Sequence, residues 1–157
     1  KTEGHIDQSL FARTILDEKN GPPPEVNLFN EKNNGESLLS LIDKNYIKSA
    51  HDISLGGLIT ALSKMCIKGN KGIKLKKSKN LINDIEYFFS EDQGRYIIEI
   101  NPTDLKEVTK ILDKNSVHHE ELGVIIEKEM IIDEKTKVTI DELRSYNTNW
   151  LINYMSS

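Results

Sequence analysis

Cysteine is nearly missing from this chain. Cys66 is the single one in 157 residues, so no internal disulfide is available and a buried, inert thiol is its expected state. A basic excess is missing as well. The 21 Lys and Arg face 25 Asp and Glu, a net charge of −4, which leaves no electrostatic footprint for nucleic acid or for an anionic membrane surface. Lys74–Lys79 is the local exception, with four lysines. No aromatic residue interleaves with them for base stacking, and a solvated loop or strand edge is the expected form. No apolar run is long enough to cross a bilayer and no signal peptide is visible, which sets the expectation of a soluble, cytoplasmic protein. Internal repeats and low-complexity segments are absent too.

What the chain does have is length for one domain with a core of its own, too little for two ordinary ones. It starts at Lys1, with Gly4 and polar residues following at once. That sets the expectation of a piece cut from a longer polypeptide, whose other domains hold part of any active site. Gly21-Pro22-Pro23-Pro24 is the clearest boundary. It ends a first helix over Asp7–Asp17, on which Leu10, Phe11 and Ile15 share one side, and imposes an extended connector. Residues 1–24 are accordingly read as the tail of an upstream domain with its connector, and residues 25–157 as the domain proper.

Periodicity within that domain predicts a helix over Asn27–Lys44, with Leu38, Leu41 and Ile42 inward and Asn33-Asn34-Gly35 as a weak point or break. A strand over Tyr46–Ile53 follows, then a helix carrying Leu58, Ile59, Leu62, Met65 and Cys66 at helical spacing. Gly72–Leu75 reads as a short strand and Leu81–Phe89 as a short helix or apolar loop. The strand after Arg95 alternates, Tyr96, Ile98 and Ile100 facing one way and Arg95, Ile97 and Glu99 the other. Asp104–Lys114 is an amphipathic helix opened by Pro102 and Thr103, with Leu105, Val108 and Leu112 inward. Leu122–Ile126, Met130–Ile132 and Lys137–Ile140 read as short strands. A last helix starts near Ile140, its strip of Leu143, Trp150, Leu151 and Tyr154 expected to pack on the sheet. Strands and helices interleave without a strict repeat, so the fold class is α+β, a mixed β-sheet packed with α-helices.

Two junctions carry the candidate chemistry. In the first, a strand turns directly into a helix through Asp52, Ser54, Gly56 and Gly57. Two side-chain acceptors there can cap free N–H groups, and two glycines allow close approach to the backbone. Such a helix start is suited to an anion such as phosphate, because several N–H groups and the helix dipole point the same way; plain capping is the alternative. In the second, Ser90-Glu91-Asp92-Gln93-Gly94-Arg95 leads into a strand. Glu91 and Asp92 suit a metal or acid–base work, Gln93 an amide or hydroxyl, and Arg95 a phosphate; a charged turn whose arginine bridges its neighbours is the alternative. His118 and His119, adjacent and so directed to opposite faces of an extended strand, are not expected to share a metal.

These two stretches resemble a known family. His51-Asp52-Ile53-Ser54-Leu55-Gly56-Gly57-Leu58 resembles the His-Asp-Val-Ser-Asp-Gly-Gly-Leu motif of phosphoribosylformylglycinamidine synthases, and Ser90–Arg95 is similar to their Ser-Glu-(Ser or Asp)-Gln-Gly-Arg motif. Gly4-His5-Ile6-Asp7-Gln8-Ser9 resembles the segment preceding the family's domain, Gly21–Val26 its proline connector, and Leu143–Met155 its terminal helix. Leu55 stands where the pattern has an acidic residue, and Asp7 where it has glycine.

The resemblance implies the second copy of a domain like the C-terminal domain of aminoimidazole ribonucleotide synthetase. It implies a role in the ATP-dependent ligation of glutamine-derived ammonia to formylglycinamide ribonucleotide, a step of purine synthesis leading to IMP. There, phosphorylation by Mg-ATP makes the amide oxygen a leaving group that ammonia displaces. The family's catalytic histidine, its main nucleotide contacts and its Mg²⁺ ligands lie upstream of Lys1, so the chain alone is expected to be inactive, with no catalytic or metal residue of its own. The implied substrate or phosphate contacts are Asp52, Ser54, Gly56, Gly57, Ser90, Glu91, Gln93 and Arg95. The implied partners are the upstream domains, a separate glutaminase subunit and a small accessory subunit, with no nucleic acid and no membrane. The alternative is a structural or auxiliary nucleotide-binding domain that orients the catalytic ones.

Overall fold

The computed structural model describes residues 1–76, 82–133 and 135–156. Its elements in chain order are α1 (Leu10–Ile15), α2 (Leu28–Asp43), β1 (Ile47–Ile53), α3 (Gly57–Gly69), β2 (Gly72–Leu75), α4 (Asp84–Phe89), β3 (Arg95–Ile100), α5 (Leu105–Lys114), β4 (Gly123–Ile126), β5 (Glu129–Ile131), β6 (Lys137–Thr139) and α6 (Ile140–Ser156). The fold is α+β, as the interleaving predicts. Its strands divide between two sheets, and the chain divides into two units. Residues 77–79 of the lysine run and Leu81 of the expected helix lie outside the described residues.

The first unit takes in Lys1–Ala61 and Asn80–Glu120. Its sheet is the antiparallel pair β1–β3, in register from Ile47 opposite Ile100 to Ile53 opposite Arg95, with an irregularity between Ile47 and Ser49. Leu41 of α2 and Val108 and Leu112 of α5 form a buried cluster, joined by Tyr46, Ile47, Ile98, Ile100, Ile111 and Val117. The expected weak point at Asn33-Asn34-Gly35 does not break α2, which runs through it for 16 residues. Burial of Ser37 and Leu41 within the next two turns outweighs the roughly 1 kcal/mol that a helical glycine costs. Ile42, expected inward, is 44% exposed.

Helix α1 is shorter than Asp7–Asp17 because its borders are left-handed: Gln8 has φ 61° and Asp17 φ 54°. Ser9 caps it, its hydroxyl accepting the Ala12 amide at 3.1 Å. Ala12 is the buried residue of α1, whereas Leu10 and Ile15, expected inward, are exposed. Phe11 sits 4.8 Å from Phe89 of α4, ring centre to ring centre. Alternation in β3 holds at its start, with Arg95 and Ile97 buried and Tyr96 exposed. Leu105, expected inward on α5, is 40% exposed.

The second unit takes in Leu62–Lys79 and Glu121–Ser157. Its four-stranded sheet has the order β4-β2-β5-β6, antiparallel except for the parallel pair β2–β5, and so is mixed. Helix α6 opens with a reciprocal cap: Glu142 accepts the Thr139 amide at 2.9 Å and the Thr139 hydroxyl accepts the Glu142 amide at 3.2 Å. Arg144 then donates to Asp141 and to Asn70, both at 2.9 Å. The strip expected to pack on the sheet does not do so beyond Leu143, since Trp150, Leu151 and Tyr154 are all exposed. Among the described residues no helix is long and apolar enough to cross a membrane.

Candidate functional site

The β1–β3 register decides where the two junctions lie. Because Ile53 pairs with Arg95, the turn leaving β1 and the loop entering β3 emerge at the same end of the strand pair. The Ser54 carbonyl accepts the Gly57 amide at 2.9 Å, and Gly56 and Gly57 have φ of 82° and 70°, left-handed backbone that a side chain would strain. At Gly57 a Cβ would also come within 2.7 Å of the Phe88 and Ser90 carbonyl oxygens. Glycine there lets the two loops touch.

Glu91 joins them. Its Oε1 accepts the Gly56 amide at 2.8 Å and the Leu10 amide at 2.7 Å, so one carboxylate oxygen sits beside the starts of α3 and α1, where a negative charge is favoured. Asp92 grips the N-terminal segment in the same way. Its Oδ2 accepts the Glu3 and Gly4 amides at 3.0 and 3.2 Å and its Oδ1 the His5 amide at 3.1 Å. Glu91 Oε1 and both Asp92 carboxylate oxygens thus accept from backbone amides. Among the described residues no group of three or more His, Cys, Asp or Glu is placed to hold a metal.

Arg95 is 7% exposed. It donates to the Ser90 carbonyl at 2.7 Å, the Thr2 hydroxyl at 3.1 Å and the Asp92 carbonyl at 3.2 Å, with the Asp92 carboxylate at 3.7 Å. Burial holds its pKa below the usual value, while the Asp92 charge works the other way. Ser90 is fully buried, and its hydroxyl has no hydrogen-bond partner among the described residues.

Beside the junction lies a cleft of about 320 Å³ lined by Asp7, Gln8, Pro24, Ile53, Ser54, Leu55, Glu91 and Gln93. Of the residues singled out in the sequence, Ser54, Glu91 and Gln93 line it, and Gly56 and Gly57 sit immediately behind Glu91. Asp52 is exposed on β1 next to His51, whose Nδ1 is 3.3 Å from the Asp52 carboxylate. Ser90 and Arg95 are buried. The lining holds two carboxylates and no cation. With the Gly56 and Gly57 amides and the Arg95 guanidinium engaged within the protein, the cleft in this conformation suits hydroxyl and amide groups better than an unshielded phosphate. Sequence reasoning left Asp7 and Gln8 out of the candidate set. The signal was present, since both fall in the Gly4–Ser9 stretch that resembles the family's, and Gln8 takes up a left-handed backbone there.

The family model described as AIR synthase related protein, C-terminal domain, matches residues 7–135. A curated relative, the phosphoribosylformylglycinamidine synthase subunit PurL of Pelagibacter ubique, is 70% identical over 157 residues, all of this chain and 22% of that protein. The chain thus spans about a fifth of the length of the curated relatives it matches. Among solved structures, Thermotoga maritima PurL complexed with FGAR matches with a TM-score of 0.71 at 21% identity, over 85% of this chain and 24% of that one. The same protein complexed with ATP matches with a TM-score of 0.63 at 23% identity, over 73% and 22%. At that identity these structures speak for the fold.

Proposed function

Because the chain belongs to the AIR synthase related protein family, as a C-terminal domain, we propose that it is a portion of the large subunit of a phosphoribosylformylglycinamidine synthase. The observation that carries this is the 70% identity with the Pelagibacter subunit across the whole chain. In the complete polypeptide the reaction is the ATP-dependent formation of formylglycinamidine ribonucleotide from formylglycinamide ribonucleotide and glutamine-derived ammonia. ATP and Mg²⁺ act there mainly on residues outside this chain, and a glutaminase subunit and a small accessory subunit are the expected partners in a cytoplasmic complex. Residues 1–24 connect to the upstream domain, and 25–157 form the C-terminal one.

Within this chain, the proposed substrate or phosphate contacts fall into two groups. Ser54, Glu91 and Gln93 face the ligand across the cleft, with Asp52 exposed on β1. Gly56, Gly57, Ser90 and Arg95 hold that face from behind, and a phosphate reaches the Gly56 amide only by displacing Glu91. A second reading, a domain that orients the catalytic ones without touching ligand, is favoured by one observation: Gly56, Gly57 and Arg95 all donate inside the protein. Amide chemical shifts of the chain on addition of ATP with Mg²⁺, and separately of formylglycinamide ribonucleotide, discriminate the two. Perturbation confined to residues 52–57 and 90–95 supports ligand contact, and unchanged shifts support the orienting role. For the activity itself, the complete polypeptide supplied with ammonium forms the amidine in an ATP-dependent manner, whereas this chain alone does not. A complete polypeptide that makes no amidine from this substrate overturns the assignment.

A further inference from the structure

The far part of α6 takes no part in the site. From Ser145 to Ser157 the sequence holds no charged residue, in a chain that is 29% charged. The same stretch places Tyr146, Trp150, Ile152, Tyr154 and Met155 at exposures of 61% or more. A helix meant for water keeps charge on its outer face, whereas loss of charge together with Tyr, Trp and Met is the composition of the centre of a protein–protein contact. The tie of α6 to other elements by Arg144, to Asn70 and to the Ile67 carbonyl, lies at its near end, and about three turns of exposed helix are marginal in water.

We propose that the outer face of α6, centred on Trp150, is a docking surface for an uncharged apolar patch elsewhere on the same polypeptide. The inference rests on the reading of this chain as part of a longer one, and the relatives' length supplies the occupant: the chain covers 22% of the Pelagibacter subunit. A second copy is the poorer occupant. Three turns of helix, roughly 18 Å long and about 10 Å wide, offer a few hundred Å² at most, well short of the roughly 800 Å² per partner of a stable dimer. A neighbour on the same chain, held at high effective concentration, needs no such area.

Hydrogen exchange of the complete polypeptide, compared with that of the 157-residue chain, tests this. Amides 146–155 are expected to exchange at least about ten-fold more slowly in the complete polypeptide, to the same extent at every protein concentration. Trp150→Lys with Tyr154→Lys restores fast exchange there and leaves β1 and β3 unchanged. Equally fast exchange in both proteins overturns the proposal, and so does protection that grows with concentration, which assigns the face to a second copy. Ligase activity on the same samples separates the two inferences. An active polypeptide with an unprotected α6 sinks the docking surface alone, and an inactive one with a protected α6 sinks the functional assignment alone.

Discussion

The Glu91 carboxylate accepts the Gly56 amide at 2.8 Å, so the turn into α3 is closed by an anion belonging to the protein itself. Glu91→Ala removes this bond and the one to Leu10, with an expected loss of about 2 kcal/mol in urea unfolding; Glu91→Gln, which keeps the acceptor and loses the charge, costs roughly half as much. Glu91→Ala also frees the Gly56 amide, so a phosphate-bearing ligand that uses it binds more tightly to that variant. Unchanged or weaker binding places the phosphate elsewhere.

Gly57 and Gly35 make a matched pair of opposite sign. Gly57→Ala strains a left-handed backbone and drives a methyl into the Phe88–Ser90 main chain, for an expected loss of about 3 kcal/mol. Gly35→Ala, inside α2 with open space around the added carbon, gains about 0.5–1 kcal/mol. Unfolding midpoints of the two variants should move in opposite directions. Equal shifts would show that contact at Gly57 is not what requires glycine.

Arg95→Met deletes the donors to Thr2, Ser90 and the Asp92 carbonyl and leaves the Asp92 carboxylate without its cation. The expected loss is about 3 kcal/mol. Arg95→Lys restores charge but not the planar fork and recovers less than half. A Met variant within about 0.5 kcal/mol of the parent would mean that the guanidinium does not hold the loop.

Burial pushes the Cys66 thiol up to about 11 from 9.0. The folded state therefore favours the protonated thiol. Its contribution is complete below pH 9 and is lost as pH rises through about 11, where the folded thiol also ionises. The stability difference between the parent and Cys66→Ala, followed by urea unfolding, should be constant at neutral pH and shrink across that window. A constant difference up to pH 11 would show that the thiol is not desolvated.

Local signals located most of the elements. Alternation placed β3, and the last helix, expected near Ile140, begins there. What local signals could not see was decided by distant contacts. The helix-weakening step at Asn33-Asn34-Gly35 gave way to the packing of Leu41, and Trp150, Leu151 and Tyr154 of the α6 strip are exposed despite their apolar periodicity. The nearness of the two junctions depends on the pairing of Ile53 with Arg95, which no window of sequence contains. The inward direction of Arg95 was within reach, because it shares a strand face with buried Ile97.

The grip of Asp92 on the amides of residues 3–5 spans 87 to 89 positions of chain. Closing so long a loop for three hydrogen bonds carries a larger entropic penalty than pairing β1 with β3, so during folding the amino-terminal arm is fastened after the strands have met. Denaturant undoes the order in reverse. The arm comes away first, exposing Asp92 and the Arg95 guanidinium to water while the strand pair still stands.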